Sequence, residues 1–290
     1  MRSQALLIAN PKAGAGAEKK IVYAQKLLLQ KGIESQLYLT SKRGDAEVRA
    51  RQGVIEKRPM IITAGGDGTI NEAINGMALC DVPLGIIPLG TTNVLAIEIG
   101  SDSIEKAVLN IANGSPKNVS LGRIALDKQK TVWFILMAGI GFDGNAVYGM
   151  NEKIKKISGK GAYILSGINS FFRFTNQTIF IVDGIKYQGY SGIISNACHY
   201  GGRFKIAPDA NIESPDLYIN IFKGKGKINL SRYLFGIITG RHTKYNDVEY
   251  LKCKGVRVEG TDLIQIDGDY LGAGDCYVEV VTSAIRIIYR

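Results

Sequence analysis

The stretch TAGGDGTINEAING, residues 63 to 76, sets Asp67 among glycines directly ahead of a segment with helical spacing. Pro59 to Thr63, reading PMIIT, is apolar and β-branched, the composition of a buried strand. Beyond the turn, Ile70, Ala73, Ile74 and Met77 recur at helical spacing, with Thr69 able to cap a helix over Thr69 to Leu79. A glycine turn between a strand and a helix N-terminus gathers backbone N–H groups that lack intrahelical acceptors, a setting suited to phosphate. An acid inside that turn repels phosphate unless a cation stands between them. The combination points to a metal–nucleotide site, with Asp67 on an exposed loop.

Two further loops have the same character. NPKAGAG, Asn10 to Gly16, follows the apolar run ALLIA, and PLGTTN, Pro88 to Asn93, closes PLGIIPL. Between these runs lie a helix over Glu18 to Lys31, a strand in ESQLYLT and a second helix over Gly44 to Lys57. Short helices over Asn93 to Ile99 and Ser103 to Asn113 follow the fourth strand. Strands alternating with helices imply a parallel sheet covered on both faces, and ligands bind such sheets beyond the carboxyl ends of the strands. The three glycine loops all fall at those ends and are expected to converge.

Past Gly122 the pattern changes. RIALD, KTVWFILMAGIGF, TIFIVDG, IKYQGYSGIISN, DLYINIFKG, YLKCKGVRVEG, LIQIDGDYLG and CYVEVVTSAIRIIYR are β-like and separated by turn residues. Asn151 to Phe174 and Ser231 to Thr239 read as helical interruptions. The expectation is an α/β doubly wound parallel-sheet domain over residues 1–122 and a β-sandwich-like domain over 123–283. The final strand, 284–290, either stays with the second domain or returns to the first. A second acid pair, Asp267 and Asp269 in IDGDYLG, is open to two readings: a hairpin turn, or carboxylates positioned to accept a hydroxyl proton.

Composition narrows the class. With 290 residues, 46% hydrophobic and 21% charged, the chain is expected to be soluble and globular, and no apolar run approaches the roughly 20 residues that span a bilayer. ALLIA is too short for a signal-peptide core, so a cytoplasmic protein is expected. Cys80, Cys198, Cys253 and Cys276 are scattered without a CxxC pair and, with His199 and His242, suggest neither a zinc site nor a disulfide framework. The net charge of +10 would attract nucleic acid, an anionic membrane or phosphorylated substrates. No helix-turn-helix, zinc-finger or RRM signature favours nucleic acid. Lys153, Lys155, Lys156 and Lys160 stand ahead of Phe171, Phe172, Arg173 and Phe174, which suits contact with an anionic membrane face and equally a solvated helix.

GGDGTINE, PLGTTN and NPKAGAG together, with APDA (Ala207 to Ala210) and IDGDYLG later, resemble the diacylglycerol kinase catalytic-domain family. The likeness is to bacterial lipid kinases related to diacylglycerol and sphingosine kinases, and it covers nearly the whole chain. It implies a nucleotide domain similar to those of phosphofructokinases and NAD kinases, followed by a β-rich lipid-binding domain. Carried over by position, it implies nucleotide contacts at Asn10, Pro11, Lys12, Ala13, Gly14 and Thr40. It further implies a phosphate and magnesium loop over Gly65, Gly66, Asp67, Gly68, Thr69, Ile70, Asn71 and Glu72, completed by Thr91 and Asn93. Asp269, Asp267 and Asp67 become the catalytic candidates. The implied reaction is transfer of the γ-phosphoryl group of ATP, with Mg²⁺, to a lipid hydroxyl in an interdomain cleft.

Three motifs depart from the family pattern. Asp269 replaces the glutamate of a DGE motif, and Val94 replaces the acid that many relatives carry in GTxND. Glu213, Ser214 and Pro215 stand where PDAxxDDG would place acids for a structural magnesium, and only Glu213 and Asp216 offer substitutes. An NAD-kinase-like soluble kinase and a non-catalytic nucleotide or lipid sensor remain as alternatives. PLGTTN and IDGDYLG speak against the first. Diacylglycerol, monoacylglycerol, phosphatidylglycerol and sphingoid bases are all open as acceptors. The implied partner is a lipid substrate at the inner face of an anionic membrane, bound reversibly; no nucleic acid is expected, and a homodimer stays open.

Overall fold

The computed structural model describes residues 4–126, 131–141 and 176–290. The chain divides into two compact units, the part up to Leu121 joined by Thr282–Arg290, and Gly122–Val281.

In the first unit, short runs that are apolar throughout become the central strands. β1 (Ala5–Ala9), β3 (Ile61–Gly65) and β4 (Leu84–Pro88) are buried along their whole length, as strands covered on both faces must be. β2 (Ser35–Leu39) lies at the edge and is only partly covered. The order is β2-β1-β3-β4, all parallel, continued by the end of β18 (Cys276–Tyr289), whose Ile287 lies opposite Leu84. On one face, Ile21, Ala24 and Leu28 of α1 (Ala17–Gln30) and Ala107, Val108 and Ile111 of α5 (Ile104–Asn113) pack with Leu7, Ile62 and Ile87. The other face takes α2 (Asp45–Ile55) and α3 (Asp67–Met77). A Cβ at Gly53 of α2 would come within 2.8 Å of Leu6, and one at Gly76 of α3 within 2.3 Å of the Glu47 carbonyl of α2. Chain paths leaving β1 and β3 therefore diverge to opposite faces. Such a switch point is where open α/β sheets bind ligands.

α3 begins two residues earlier than its apolar spacing predicts. Gly66 occupies the cap position in extended conformation, so Thr69 is an internal residue of the first turn and not the cap. Asn93 precedes the short α4 (Val94–Glu98) in the left-handed region at φ 49°.

The second unit is built from antiparallel strands. One sheet runs β18-β15-β8-β9, from β15 (Gly255–Glu259), β8 (Thr178–Val182) and β9 (Ile185–Gly189), with β5 (Ser115–Leu126) pairing β6 (Val132–Phe134) and β18. The other runs β14-β13-β10-β7-β16-β17. Its members are β7 (Met137–Gly141), β10 (Ser191–Ser195), β13 (Leu217–Phe222), β14 (Val248–Cys253), β16 (Leu263–Ile266) and β17 (Asp269–Ala273). Phe134, Phe180, Val256 and Val278 of the first sheet share a core with Ala138, Ile140, Ile194, Ile219 and Ile264 of the second, which makes a sandwich. β11 (His199–Tyr200) and β12 (Phe204–Lys205) form a small separate pair. The helix expected at Ser231 starts earlier, as α6 (Lys227–Thr239).

KTVWFILMAGIGF reads as one strand but is two, β6 and β7, interrupted at Ile135 and Leu136. The helix expected over Asn151 to Phe174, with its lysine and phenylalanine clusters, lies outside the described residues. Among the described residues no helix is long and apolar enough to cross a membrane.

Candidate functional site

Three loops meet at the carboxyl ends of β1, β3 and β4. The β1 loop is shaped by Asn10, whose Oδ1 accepts from the Lys12 N–H at 2.9 Å while its N–H donates to Ala64 O. Its amide Nδ2 donates across to Thr69 Oγ1 at 3.1 Å, tying the first loop to the first turn of α3. Gly14, at φ 90°, lets the same loop approach β4, since a Cβ there would stand 2.9 Å from Leu89 O. The β3 and β4 loops come closer still. A Cβ at Gly90 would lie 2.7 Å from Gly66 Cα and 2.8 Å from Asn93 Oδ1. Only glycine fits there. Thr40 joins from β2, its N–H donating to Ala9 O at 2.9 Å with the residue almost wholly buried.

The first intrahelical bond of α3 runs from Ile70 N to Gly66 O, so the N–H groups of the first turn keep the anion-facing geometry of a helix start. Asp67 is the opening residue of that helix and is partly buried, not the exposed loop residue expected. Its Oδ1 accepts from Leu95 N at 3.3 Å. Burial pushes its carboxyl above the ordinary carboxylate range, opposed by hydrogen bonds from the backbone of Val94, Leu95 and Asn93. Asn93 Nδ2 donates to Gly90 O at 2.7 Å, whereas its buried Oδ1 has no hydrogen-bond partner.

Among the other implied contacts, Ile70, Asn71 and Glu72 have their side chains engaged away from the loops. Ile70 is 1% exposed, with its side chain in the core. Asn71 is engaged by Asn75, whose Nδ2 donates to both its O and its Oδ1. Glu72 Oε2 accepts from Ala46 N at 3.3 Å and closes the N-terminus of α2. Pro11 is partly covered, and Lys12 and Thr91 are exposed at the rim. Gly65 packs under Thr69, where a Cβ would come within 2.6 Å.

In the second unit, Asp267 and Gly268 form the two-residue turn between β16 and β17, at φ 46° and 86°, with Ile266 opposite Asp269. The Asp267 carboxylate accepts from Ile135, Leu136 and Met137 N–H, each at 2.9 Å. Three amides on one carboxylate explain the break between β6 and β7. Three of its roughly four lone-pair sites are occupied, which leaves little capacity for a substrate proton. Asp269, the first residue of β17, is partly exposed. Asn196 holds the same segment from the other side, its Nδ2 donating to Ile135 O at 2.8 Å. Sequence reasoning passed over Asn196, whose only signal was a lone amide at a strand end. Asp216, the substitute acid after APDA, is held by Lys252 and Lys254 at 2.8 and 2.7 Å, which depress its carboxyl to about 2.

Comparison with known proteins identifies the family and the fold. Residues 4–124 match the family model "Diacylglycerol kinase catalytic domain", and residues 137–289 match "YegS C-terminal NAD kinase beta sandwich-like domain". A diacylglycerol kinase of Staphylococcus carnosus is 30% identical over 284 residues, covering 94% of this chain and 90% of the relative. One from Bacillus subtilis is 30% identical over 279 residues, covering 93% and 90%. The chain belongs to the diacylglycerol kinase catalytic-domain family. As a member it is a kinase. The crystal structure of a diacylglycerol kinase from Bacillus anthracis shares the fold, with a TM-score of 0.79 and 23% identity over 99% of this kinase and 97% of that chain.

Proposed function

We propose that this kinase transfers the γ-phosphoryl group of ATP to the hydroxyl of a diacylglycerol-like lipid. The observation that supports it is the close approach of Gly14, Gly66 and Gly90 around the first turn of α3. Bare backbone admits phosphate oxygens to amide N–H groups, and the helix dipole favours their charge. Thr69 and Asn93 add polar side chains to that cradle, and the unpartnered Asn93 Oδ1 is suited to receive a donor. Family membership implies ATP as donor, and relatives named diacylglycerol kinase support a lipid acceptor.

Among the described residues no group of three His, Cys, Asp or Glu comes together as a metal site. Magnesium commonly binds through one or two carboxylates plus substrate phosphates, and Asp67 fits that role: the cation would neutralise phosphate charge and favour the ionised form that burial disfavours. Asp269 is the candidate for accepting the lipid hydroxyl proton, with Asp267 fixing the hairpin that carries it. A diacylglycerol-like acceptor resides in a membrane, so reversible association with an anionic membrane surface belongs to the same proposal.

The test is incubation with labelled ATP, Mg²⁺ and a mixture of diacylglycerol, monoacylglycerol, phosphatidylglycerol and sphingoid bases, with NAD in a parallel reaction. A labelled phospholipid supports the reading. Label in NADP alone replaces it with an NAD kinase, and nucleotide binding without any turnover replaces it with a sensor.

A further inference from the structure

α6 presents two contrasting faces. Tyr233 anchors the inner one: its hydroxyl donates to Asp247 at 2.5 Å and accepts from Gly224 N–H at 2.7 Å, and its ring meets Phe222 at 4.9 Å. Gly236 lies so near Tyr245 that a Cβ would come within 2.7 Å of that ring. On the outer face Ile228, Phe235 and Ile238 are 87%, 64% and 51% exposed. Ile228 and Phe235 are two turns apart and Ile238 one turn further, so the three form a single stripe. Singly exposed apolar residues are ordinary; three large ones in line mark an interaction surface.

Charge says what kind. From residue 223 to 244 the sequence carries Lys223, Lys225, Lys227, Arg232, Arg241 and Lys244 and no aspartate or glutamate. Glu249 and Asp247 partly neutralise Lys223 and Arg232. Lys225 and Lys227 stand at the start of the helix, and Arg241 and Lys244 just past its end. A second copy of the chain, docked through the same face by a two-fold axis, would set these cations against their own kind. At 13 residues the helix is too short to cross a bilayer, which takes about 20. An apolar stripe edged with cations on a short helix suits the plane of a lipid interface.

We infer that α6 and its basic flanks dock this chain on an anionic lipid bilayer, with Ile228, Phe235 and Ile238 entering the interface and the cations facing headgroups. This names the surface for the membrane association proposed above, and its test needs no kinase activity.

The test is sedimentation of the full chain with phosphatidylcholine vesicles containing graded phosphatidylglycerol, in the absence of nucleotide and acceptor lipid. Pelleting should rise with phosphatidylglycerol and fall with salt. Changing Ile228, Phe235 and Ile238 together to serine should lower vesicle partitioning at least about tenfold, because those side chains supply the apolar insertion. Arg241→Gln with Lys244→Gln should weaken binding and flatten its salt dependence. Circular dichroism and melting of both variants should match the parent, since only surface groups change. Vesicle binding unaltered by both sets overturns the inference. So does a parent dimer that the serine variant turns into a monomer without any vesicle binding, which would assign the face to a second copy. A chain inactive on every lipid would remove the kinase reading and leave this result standing.

Discussion

Gly90→Ala isolates the contact on which the nucleotide reading rests. The added methyl would sit 2.7 Å from Gly66 Cα and 2.8 Å from Asn93 Oδ1. Non-bonded carbons settle at about 3.5–4.0 Å, so the β3 and β4 loops must part by roughly 1 Å. Neither neighbour can yield easily: Gly66 is backbone at the start of α3, and Asn93 is held by its bond to Gly90 O. Overpacking of this kind costs about 1–3 kcal/mol of stability. A displacement of about 1 Å at a reacting centre lowers turnover by roughly a hundredfold. The assay is steady-state kcat/KM for ATP beside a thermal melt, with Gly100→Ala as control. Gly100 has φ 67° and open space where a Cβ would go, so its substitution should cost about 1–2 kcal/mol in backbone strain and leave kcat/KM alone. A Gly90→Ala enzyme with the parent kcat/KM would show that the loops are packed together for reasons unconnected with ATP.

Three further outcomes are expected. Asp67→Asn should abolish turnover yet make the protein without nucleotide more stable at neutral pH. The folded carboxyl lies above its ordinary 3.8, so the unfolded chain ionises first as pH rises past 3.8 and stability falls; below 3.8 the two proteins should converge in chemical denaturation. Asp267→Asn should destabilise by about 1–3 kcal/mol, because one oxygen cannot serve three amides, whereas Asp269→Asn should melt normally and lower kcat with ATP KM unchanged. Asp269→Glu should keep activity, and equal melting of the two asparagine variants would reject the division of labour. Asp216 is held near 2 by Lys252 and Lys254, so its contribution to stability is present above the ordinary 3.8 and lost as pH falls towards 2; acid unfolding of Asp216→Asn should lack that step.

The sequence alone determined the class of fold and the location of the three glycine loops, because both are written in short-range pattern. Apolar runs followed by glycine and then by helical spacing identify βα turns without any knowledge of partners, and three of them could be read at three strand ends. The places of Asp67 and Thr69 beside that turn were legible for the same reason, but not the burial of Asp67 or the internal place of Thr69 in α3. What each side chain faces is a long-range matter, decided by elements far apart in the chain. Glu72 meets an amide on α2, 26 residues away, and Asp267 takes amides from residues 130 and more before it. Periodicity tells which side of an element looks inward but not which backbone group stands opposite, so the capping role of Glu72 and the anchoring role of Asp267 came only with the tertiary structure. The early start of α3 belongs there too, since Gly66 can cap it only because Gly90 leaves the room.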